Sequence, residues 1–363
     1  MKYLIKGMIF FPLVFILACC GLSPSEDNPP AAADDFTVMV WNVQSLFDGE
    51  ETGSEYAEFL ETAGWTPEKY KARLTAISQA IGQVAEEVSG RRASPPDLLG
   101  LVEVENEGVL KDLAGSLSRY GYQWTVFANL PGSSLGAGIL SRFPIKETKA
   151  HSITSGSDTA PRPVLEVRVE PHDRPLVFLL CHWKSKLGND TEALRRSSAR
   201  VVQRRLEEVR ETEPGTPVIA MGDLNENYDE FYRLSGSTLS ALLPDDPDAA
   251  VLALNFPKEY LVLSGGNPPR PLHFPEDTPV FYSPWKEGEN EGSYYYKGDW
   301  ETIDHFLLSD ALFDGLAWDY AGFNVLDMEP FTSSKGTPNA YVPRQGRGLS
   351  DHLPLLLHLR YRE

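Results

Sequence analysis

A series of short apolar runs, each five to eight residues long, limits the fold of this chain more than any other feature of its sequence. The runs occupy residues 36–43, 97–104, 122–128, 137–141, 164–169, 176–182, 217–221, 302–308 and 355–359. Runs of this length that are rich in β-branched and aromatic residues predict strands. Residues 97–104 are almost continuously apolar, as expected for a strand that is covered on both faces.

Two segments have the period of an amphipathic helix instead. Thr66 and Pro67 supply an N-cap and a first helical residue. The apolar side chains that follow recur at steps of four and three residues up to Gly90, at Tyr70, Leu74, Ile77, Ile81, Val84 and Val88. A second long helix is predicted over residues 191–210. Because strands outnumber helices, the sequence favours an α/β (α+β) sandwich of mixed sheets over a doubly wound parallel sheet.

Residues 228–300 differ from the rest of the chain, because they are rich in Pro, Gly and aromatic residues and contain few periodic segments. We expect long loops and hairpins on one rim of the domain, where functional residues are often found.

The N-terminus has the pattern of an export signal. Lys2 and Lys6 give it a positive start, residues 8–18 are apolar, and Cys19 follows. Eleven apolar residues are fewer than the roughly 20 that span a bilayer. The run Ile-Leu-Ala-Cys that ends at Cys19 resembles a bacterial lipobox, which predicts a signal peptide over residues 1–18 and lipid attachment at Cys19. The expected location is outside the cytoplasm, anchored to a bacterial membrane or secreted.

A tether and one large domain are expected after the signal. Residues 19–35 are rich in Ser, Pro, Ala and acidic residues, so they cannot bury a core and are predicted to be a solvated tether. Residues 36–363 are predicted to form a single domain. Cys181 is its only cysteine, so no intrachain disulfide can form there. An ordinary core, with any bound metal, must hold this domain together.

The formal charge of −19 disfavours one class of function. It becomes −21 if Lys2 and Lys6 leave with the signal. An acidic protein gains nothing from long-range attraction to a polyanion, which argues against tight non-specific binding of nucleic acid. A nuclease is not excluded, since a divalent cation and a local group of Arg and Lys residues can dominate the site itself.

Polar residues lie at the ends of the predicted strands, where a site would be built. They are Asn42, Glu103, His182, Asp223, Asn225, Asp304, Asp351 and His352. One such residue is usually a satisfied structural group, but so many in one chain are hard to explain as caps alone. Their types fit phosphoester hydrolysis, which needs a hard cation, a group that activates water and donors to the phosphorus oxygens. The spacing of a Cys/His zinc site does not occur.

A set of short motifs occurs in order along residues 36–360. They are Trp41-Asn42, Leu101-Val102-Glu103, Gly138-Ile139-Leu140-Ser141-Arg142, Cys181-His182, Gly222-Asp223-Leu224-Asn225, Ile303-Asp304-His305 and Ser350-Asp351-His352. Together they resemble the endonuclease/exonuclease/phosphatase superfamily, which includes deoxyribonuclease-type enzymes, apurinic endonucleases, sphingomyelinases and inositol-phosphate phosphatases. The resemblance implies a four-layer α/β/β/α sandwich of two mixed sheets, with the catalytic site at one end of the sheets.

The resemblance also implies a metal site. Glu103 would be the principal ligand of Mg²⁺, helped by Asn42 and Asp351, with Mn²⁺ or Ca²⁺ as alternative ions. Gln44 stands where many relatives have an acidic residue, which makes a second metal less expected.

For catalysis, the resemblance implies five residues. Asp304 would orient His352, which would act as general base or as a contact to phosphate. Asp223 would handle a proton or align water, and Asn225 would hold the phosphate and the nucleophile. His182 would contact phosphate and protonate the leaving oxygen. Because no carboxylate is evident near residues 127–129 to orient His182, that acid role is the least supported of these assignments.

Further candidates for substrate binding come from the sequence itself. Arg162 and Lys184 are predicted phosphate contacts, and a solvated loop charge is the alternative for Arg162. The aromatic group at residues 294–296 with Trp300 predicts either a surface that stacks unpaired bases or a hairpin core built from alternate aromatics.

Three functions follow from these residues. The first is a metal-dependent nuclease that hydrolyses DNA or RNA with a histidine-activated water. The second is a phosphodiesterase of phospholipid head groups or a phosphatase of small esters, and the third is an inactive binding lipoprotein. Nucleic acid is the expected substrate and the membrane is contacted through the lipid anchor. No protein partner is indicated, and a monomer is expected.

Overall fold

A computed structural model describes residues 16–18, 34–87, 95–155, 158–160, 162–188, 191–255, 258–287 and 290–363. Cys19 and most of the predicted signal and tether lie outside the described residues. The proposed lipid site is therefore a prediction from sequence alone.

Five α-helices occur in the described part of the chain. They are α1 (Pro67–Glu87), α2 (Glu107–Ser116), α3 (Thr191–Thr212), α4 (Glu230–Arg233) and α5 (Pro247–Ala253). The predicted first turn of α1 is present, since Thr66 Oγ1 accepts a hydrogen bond of 3.3 Å from the backbone N–H of Lys69. Of the helices in the described ranges, none has the length and apolar character needed to cross a membrane.

The strands of the described chain are numbered in order. They are β1 (Ile16–Ala18), β2 (Asp35–Leu46), β3 (Leu98–Val104), β4 (Trp124–Ala128), β5 (Gly136–Ser141), β6 (Ile145–His151), β7 (Thr154–Ser155), β8 (Asp158–Thr159), β9 (Val164–Val169), β10 (Leu176–His182), β11 (Val218–Asp223), β12 (Leu242–Pro244), β13 (Leu261–Ser264), β14 (Val280–Tyr282), β15 (Tyr294–Tyr296), β16 (Asp299–Glu301), β17 (Asp304–Leu308), β18 (Ala317–Val325) and β19 (Leu355–Arg362). All nine predicted strands are present. The shorter α2 and the more polar β6 and β18 were not predicted.

Two mixed sheets form the centre of the molecule. The first has the order β1-β4-β5-β3-β2-β19-β18 and the second the order β12-β13-β14-β17-β11-β10-β9-β6. The helices α1 and α2 cover the outer face of the first sheet, and α3 covers the outer face of the second. The predicted four-layer α/β/β/α sandwich is confirmed. Residues 228–300 contribute β12, β13 and β14 to the second sheet, beyond the loops and hairpins expected there.

The two sheets pack closely where β3 meets β10 and β11. A Cβ at Gly100 would lie 2.8 Å from Met221 Cε and 3.0 Å from Leu180 Cδ1, so a larger residue there would displace side chains of the facing sheet. Close contact at this level brings the ends of the central strands of both sheets together. Polar residues at those ends therefore meet across the sandwich.

The short strand β1 lies inside the segment predicted to be a signal peptide. It pairs antiparallel with β4, with Leu17 opposite Phe127. An edge strand offers unpaired N–H and C=O groups that an apolar segment can satisfy, which accounts for the pairing physically. The domain boundaries remain predictions.

Candidate active site

The site forms where neighbouring strands of the second sheet end side by side. His182 ends β10 and is paired in register with Asp223, which ends the parallel strand β11. Asp223 is in turn paired with Asp304, the first residue of the antiparallel strand β17. The first sheet brings Asn42 of β2 and Glu103 of β3 to the same place. The sequence prediction that these residues converge is consistent with this geometry.

Asn42 joins the two sheets. Its Nδ2 donates to Glu103 Oε1 at 3.2 Å and to Asp223 Oδ2 at 3.0 Å, and its Oδ1 accepts from the backbone N–H of Gln44 at 2.9 Å. The side chain is buried. Asn42 therefore holds two carboxylates at a fixed separation through its amide nitrogen. Its predicted role as an oxygen ligand of the metal remains a prediction.

Glu103 occupies a special backbone position. Its φ of 67° is in the left-handed region, at an irregularity in the pairing of β3 with β5. Non-glycine residues held in this region are often found at functional sites. Ser45 Oγ donates to Glu103 Oε2 at 2.9 Å, so both carboxylate oxygens are oriented by neighbouring side chains.

Arg73 of α1 binds the backbone of the segment that carries Ser45. Its guanidinium donates to the backbone carbonyls of Val43, Gln44 and Ser45 at 2.6, 2.5 and 2.9 Å, and it lies 3.8 Å from the centre of the Tyr341 ring. Gln44 and Ser45 have φ values of 51° and 57°. Arg73 thus satisfies the carbonyls of a strained segment whose Ser45 hydroxyl orients Glu103, and we assign it as a positioning residue.

Replacing Arg73 with methionine is expected to lower the free energy of unfolding by about 3 kcal/mol or more, because buried carbonyls lose charged donors. The kcat should also fall, since Ser45 would no longer be held against Glu103. Urea denaturation and steady-state kinetics measure the two effects. Lys71→Met on the exposed side of α1 is the matched control, and equal stability of the two variants would contradict the assignment.

His352 and Asp304 form a buried pair beside Asp223. His352 Nδ1 lies 2.7 Å from Asp304 Oδ2, and Ser293 Oγ donates to the same oxygen at 2.6 Å. Burial by itself lowers the pKa of His352, but the charges of Asp304, Asp351 and Asp223 outweigh it and raise the pKa to about 10. Because Nδ1 is occupied by Asp304, Nε2 is the nitrogen available for chemistry.

Asp223 is the central carboxylate of the site. Burial and the charge of Asp304 raise its pKa to about 7. Asp223 Oδ1 accepts from the backbone N–H of Asn225 at 2.9 Å, and Asn225 Nδ2 donates to the carbonyl of Trp183 at 3.2 Å. Gly222 precedes it with a φ of 126°, where a Cβ would lie 2.0 Å from the Cys181 carbonyl oxygen. Glycine at this position lets β11 pass β10 closely enough to align Asp223 with His182.

His182 lies on the other side of Asp223. Its Nε2 is 3.7 Å from Glu103 Oε1 and 3.7 Å from Asp223 Oδ2, while Arg162 Nη1 lies 2.9 Å from each ring nitrogen. Burial and the charge of Arg162 hold the pKa of His182 well below its usual range. An uncharged His182 at neutral pH can contact phosphate, but it is a poor acid for the leaving oxygen. Arg162 is therefore the residue that orients His182, a task for which the sequence showed no carboxylate near residues 127–129.

Two other predicted residues are engaged near the site. Lys184 Nζ donates to Ser185 Oγ and to the Leu187 carbonyl, both at 3.3 Å. Its contact with phosphate remains a prediction. Gln44 exchanges hydrogen bonds with the backbone of Tyr341, since its Nε2 donates at 3.1 Å and its Oε1 accepts at 2.7 Å. Because both ends of the Gln44 amide are used, this residue clamps a loop and offers no oxygen to a metal.

Two sets of side chains could hold a divalent cation. The first set is Glu103 and Asp351, which are partly exposed, with side-chain exposures of 21% and 36%. The pKa of Asp351 is raised, chiefly by burial. The charge of His352 lowers this pKa, and the charge of Glu103 raises it further. A cation between the two carboxylates would relieve that repulsion. Their hard oxygen donors fit a divalent metal.

The second set is Asp223, Asp304 and His352, whose donor atoms lie within 4.8 Å of one another. Within this set, His352 and Asp304 are already paired through their best donor and acceptor atoms. This group therefore fits proton handling better than metal binding. Glu103 with Asp351 remains the predicted cation site.

A cavity of about 210 Å³ adjoins the site on the side of His182. It is lined by Tyr56, Gly132, Ser133, Ser134, Leu135 and Arg162. Arg162 connects the cavity to the catalytic carboxylates through its contact with His182.

Sequence reasoning missed Ser45, Arg73 and Ser293. Only Arg73 had a visible signal, because it is a charged residue three positions after Tyr70 on the apolar face of α1. Serines are common at strand ends, and the orienting hydrogen bonds of Ser45 and Ser293 depend on contacts that the sequence does not reveal.

Comparisons with known proteins agree with this fold. Residues 37–241 match the model of the "Endonuclease/Exonuclease/phosphatase family". Truncated TDP2 from Caenorhabditis elegans aligns with a TM-score of 0.52 and 15% identity, covering 90% of this chain and 97% of that chain. The catalytic domain of human Nocturnin, solved with a bound sulfate anion, gives a TM-score of 0.51 at 14% identity and covers 90% and 95%. No curated protein matches the sequence. At these identities the structural likeness shows a shared fold.

The deoxyribonuclease-like sandwich and the cluster of carboxylates and histidines at its strand ends define a phosphoesterase. Because the matched region covers more than half of the sequence, the chain belongs to the endonuclease/exonuclease/phosphatase family. The predicted family is confirmed.

Proposed function

We propose that this chain is a divalent-metal-dependent phosphodiesterase that cleaves nucleic acid outside the cytoplasm. The observation that carries the proposal is that the site has binding surfaces on both sides of Asp223. In the second sheet β11 lies between β17 and β10. β17 begins with Asp304, the partner of His352, and β10 ends with His182. His352 with Tyr294 therefore lies on one side of Asp223, and His182 with Arg162 and the cavity lies on the other.

Surfaces on two sides fit a phosphodiester better than a monoester. A diester carries two substituents on phosphorus, and each needs a place beside the reacting group. The cavity next to Arg162 can take one substituent and the aromatic rings beside His352 the other. A monoester would leave one surface without a ligand.

The residues of the site have complementary tasks in this reaction. Glu103 and Asp351, with Asn42, would hold a cation, with Mg²⁺ preferred for an all-oxygen set. When bound, the cation supplies positive charge against the non-bridging oxygens. Arg162, His182 and Asn225 orient the phosphate. Asp223, whose pKa is raised to about 7, is placed to take the proton of water as its oxygen attacks phosphorus and the ester P–O bond breaks. The pKa of His352 is raised to about 10, so its Nε2 carries a proton that it can donate to a phosphate oxygen or to the leaving oxygen.

A substrate panel tests the proposal. The purified full chain is incubated with plasmid DNA, single-stranded DNA, RNA, bis(p-nitrophenyl) phosphate, p-nitrophenyl phosphate and phosphatidylcholine vesicles, with Mg²⁺ and then with EDTA. We expect metal-dependent cleavage of a nucleic acid and at least tenfold slower release of phosphate from the monoester. Faster hydrolysis of the monoester, or release of phosphocholine without nuclease activity, would overturn the nuclease assignment in favour of the alternative substrates.

We also propose that the enzyme is a monomer anchored through lipid on Cys19. The supporting feature is the lipobox-like run that ends at this residue. Replacing Cys19 with alanine is expected to abolish incorporation of radiolabelled palmitate and to release the protein from the membrane fraction. Cys20→Ala is the matched control. Loss of labelling in that variant alone would place the lipid on the second cysteine instead.

A further inference from the structure

We propose that Tyr294 and Tyr296 form, with His352, a stacking surface for the bases of unpaired nucleic acid beside the scissile phosphate. This inference rests on the proposed function and narrows its substrate to single strands. It concerns the hairpin formed by β15 and β16, which joins the site through an isolated backbone bridge between Tyr294 and His352.

Three rings follow one another from the catalytic pair to the surface. The centre of the Tyr294 ring lies 4.6 Å from that of His352, with 30° between their planes. The Tyr296 ring follows 6.1 Å from Tyr294, with only 15° between planes. Tyr296 is 43% exposed. The nearly parallel rings thus form a row that leads from buried His352 to the exposed ring of Tyr296.

The intervening aromatics belong to a different group. Tyr295 points to the opposite face of the hairpin and packs edge-on against Trp300, with ring centres 5.2 Å apart and planes at 63°. Trp300 in turn packs against the main hydrophobic core. Packing on Trp300 and the core therefore explains the position of Tyr295, while Tyr294 and Tyr296, two residues apart on the same strand, line up on the opposite face. We assign hairpin packing to the face of Tyr295 and Trp300, and the proposed stacking surface to the face of Tyr294 and Tyr296.

The charged residues around these rings leave stacking as the main source of affinity for a nucleic acid. Lys297 Nζ lies 4.9 Å from the Tyr296 ring centre and places one positive charge at the outer end of the surface. On the neighbouring strand, Asp299 and Glu301 pair with Tyr296 and Tyr294, and Glu301 Oε2 also lies 3.5 Å from Lys186 Nζ. The two carboxylates thus balance the two lysines, and no net positive charge is left on this surface. Base–aromatic stacking tolerates any sequence but requires free base faces, which a duplex does not offer. The ligand is therefore an unpaired strand, held with little dependence on salt.

Equilibrium binding tests the inference independently of cleavage. The affinity of the full chain for a fluorescein-labelled single-stranded oligonucleotide is measured by fluorescence anisotropy in EDTA, which prevents metal-dependent hydrolysis. Tyr296→Ala is expected to weaken binding by about tenfold, the order of the loss of one stacking contact. Tyr296→Phe should retain affinity, and duplex DNA of the same sequence should bind at least tenfold more weakly than the single strand.

Tyr295→Ala is the matched control, since its ring is similarly exposed at 38% but lies on the other face. It should bind within twofold of the unaltered chain. Equal losses for both alanine variants, no loss for Tyr296→Ala, or tighter binding of duplex would overturn the inference. If no nucleic acid is cleaved but Tyr296 still governs binding, the proposed function fails while the stacking surface stands.

Discussion

Replacing Glu103 with glutamine is expected to lower kcat for the metal-dependent reaction by about 10³-fold. The substitution removes the charge of the proposed metal ligand, and a bound cation is worth several kcal/mol of charge stabilisation in the transition state. A glutamine side chain has nearly the same size and shape as glutamate, so the fold should be retained. Steady-state hydrolysis of bis(p-nitrophenyl) phosphate with a Mg²⁺ titration measures the effect, which should include a weaker apparent affinity for the metal.

Glu105→Gln provides the matched control for this experiment. Glu105 follows Glu103 two residues later, and its Oε2 accepts a hydrogen bond of 2.7 Å from the backbone N–H of Asp48, away from the catalytic cluster. Burial raises the pKa of Glu105 to about 7, so a neutral amide should be tolerated there. Activity of the Glu103 variant equal to that of the Glu105 variant would contradict the metal assignment of Glu103.

Replacing His352 with alanine is expected to reduce kcat by about 10² to 10⁴-fold, the range for loss of a positioned acid–base group. Asp304 orients His352 and balances its charge, so Asp304→Asn should lower kcat by a smaller but substantial factor. Added imidazole should restore part of the activity of the alanine variant, because the vacated space adjoins Asp304. The same hydrolysis assay, with and without imidazole, measures all three effects.

His358→Ala is the control for general effects of removing a histidine. His358 lies six positions further along, on β19, and its Nε2 is 3.1 Å from Asn324 Oδ1. Its activity should stay within twofold of the unaltered chain. If His352→Ala also retained full activity, the pair formed by His352 and Asp304 would be structural and the catalytic assignment would be wrong.

The strands and long helices could be predicted because their signals are local. Alternation, apolar length and the N-cap at Thr66 lie within a few residues, and the corresponding elements β2 and α1 begin within one residue of their predicted starts. The elements that were not predicted are held by contacts from elsewhere. For example, β18 alternates weakly and is stabilised as an edge strand by its long pairing with β19.

Convergence of the site could also be anticipated in outline. Asp223 and Asp304 end or begin apolar strands, and neighbouring strand ends meet at the edge of a sheet. The details required the tertiary structure. Asn42 presents its amide nitrogen to two carboxylates, and Arg162 lies within hydrogen-bond distance of His182 while Glu103 and Asp223 stand 3.7 Å from its ring. Orientation of this kind is set by packing partners that are distant in the chain.

The sequence by itself determined the strand pattern, the family resemblance and the types of the residues that carry the chemistry, since these depend on order and composition. Only the tertiary structure decided which neighbours orient Glu103, how Arg73 supports it, and which tyrosines face His352. The reason is physical, because a hydrogen bond of about 3 Å between residues far apart in the chain depends on how whole sheets pack, and no local pattern encodes that distance.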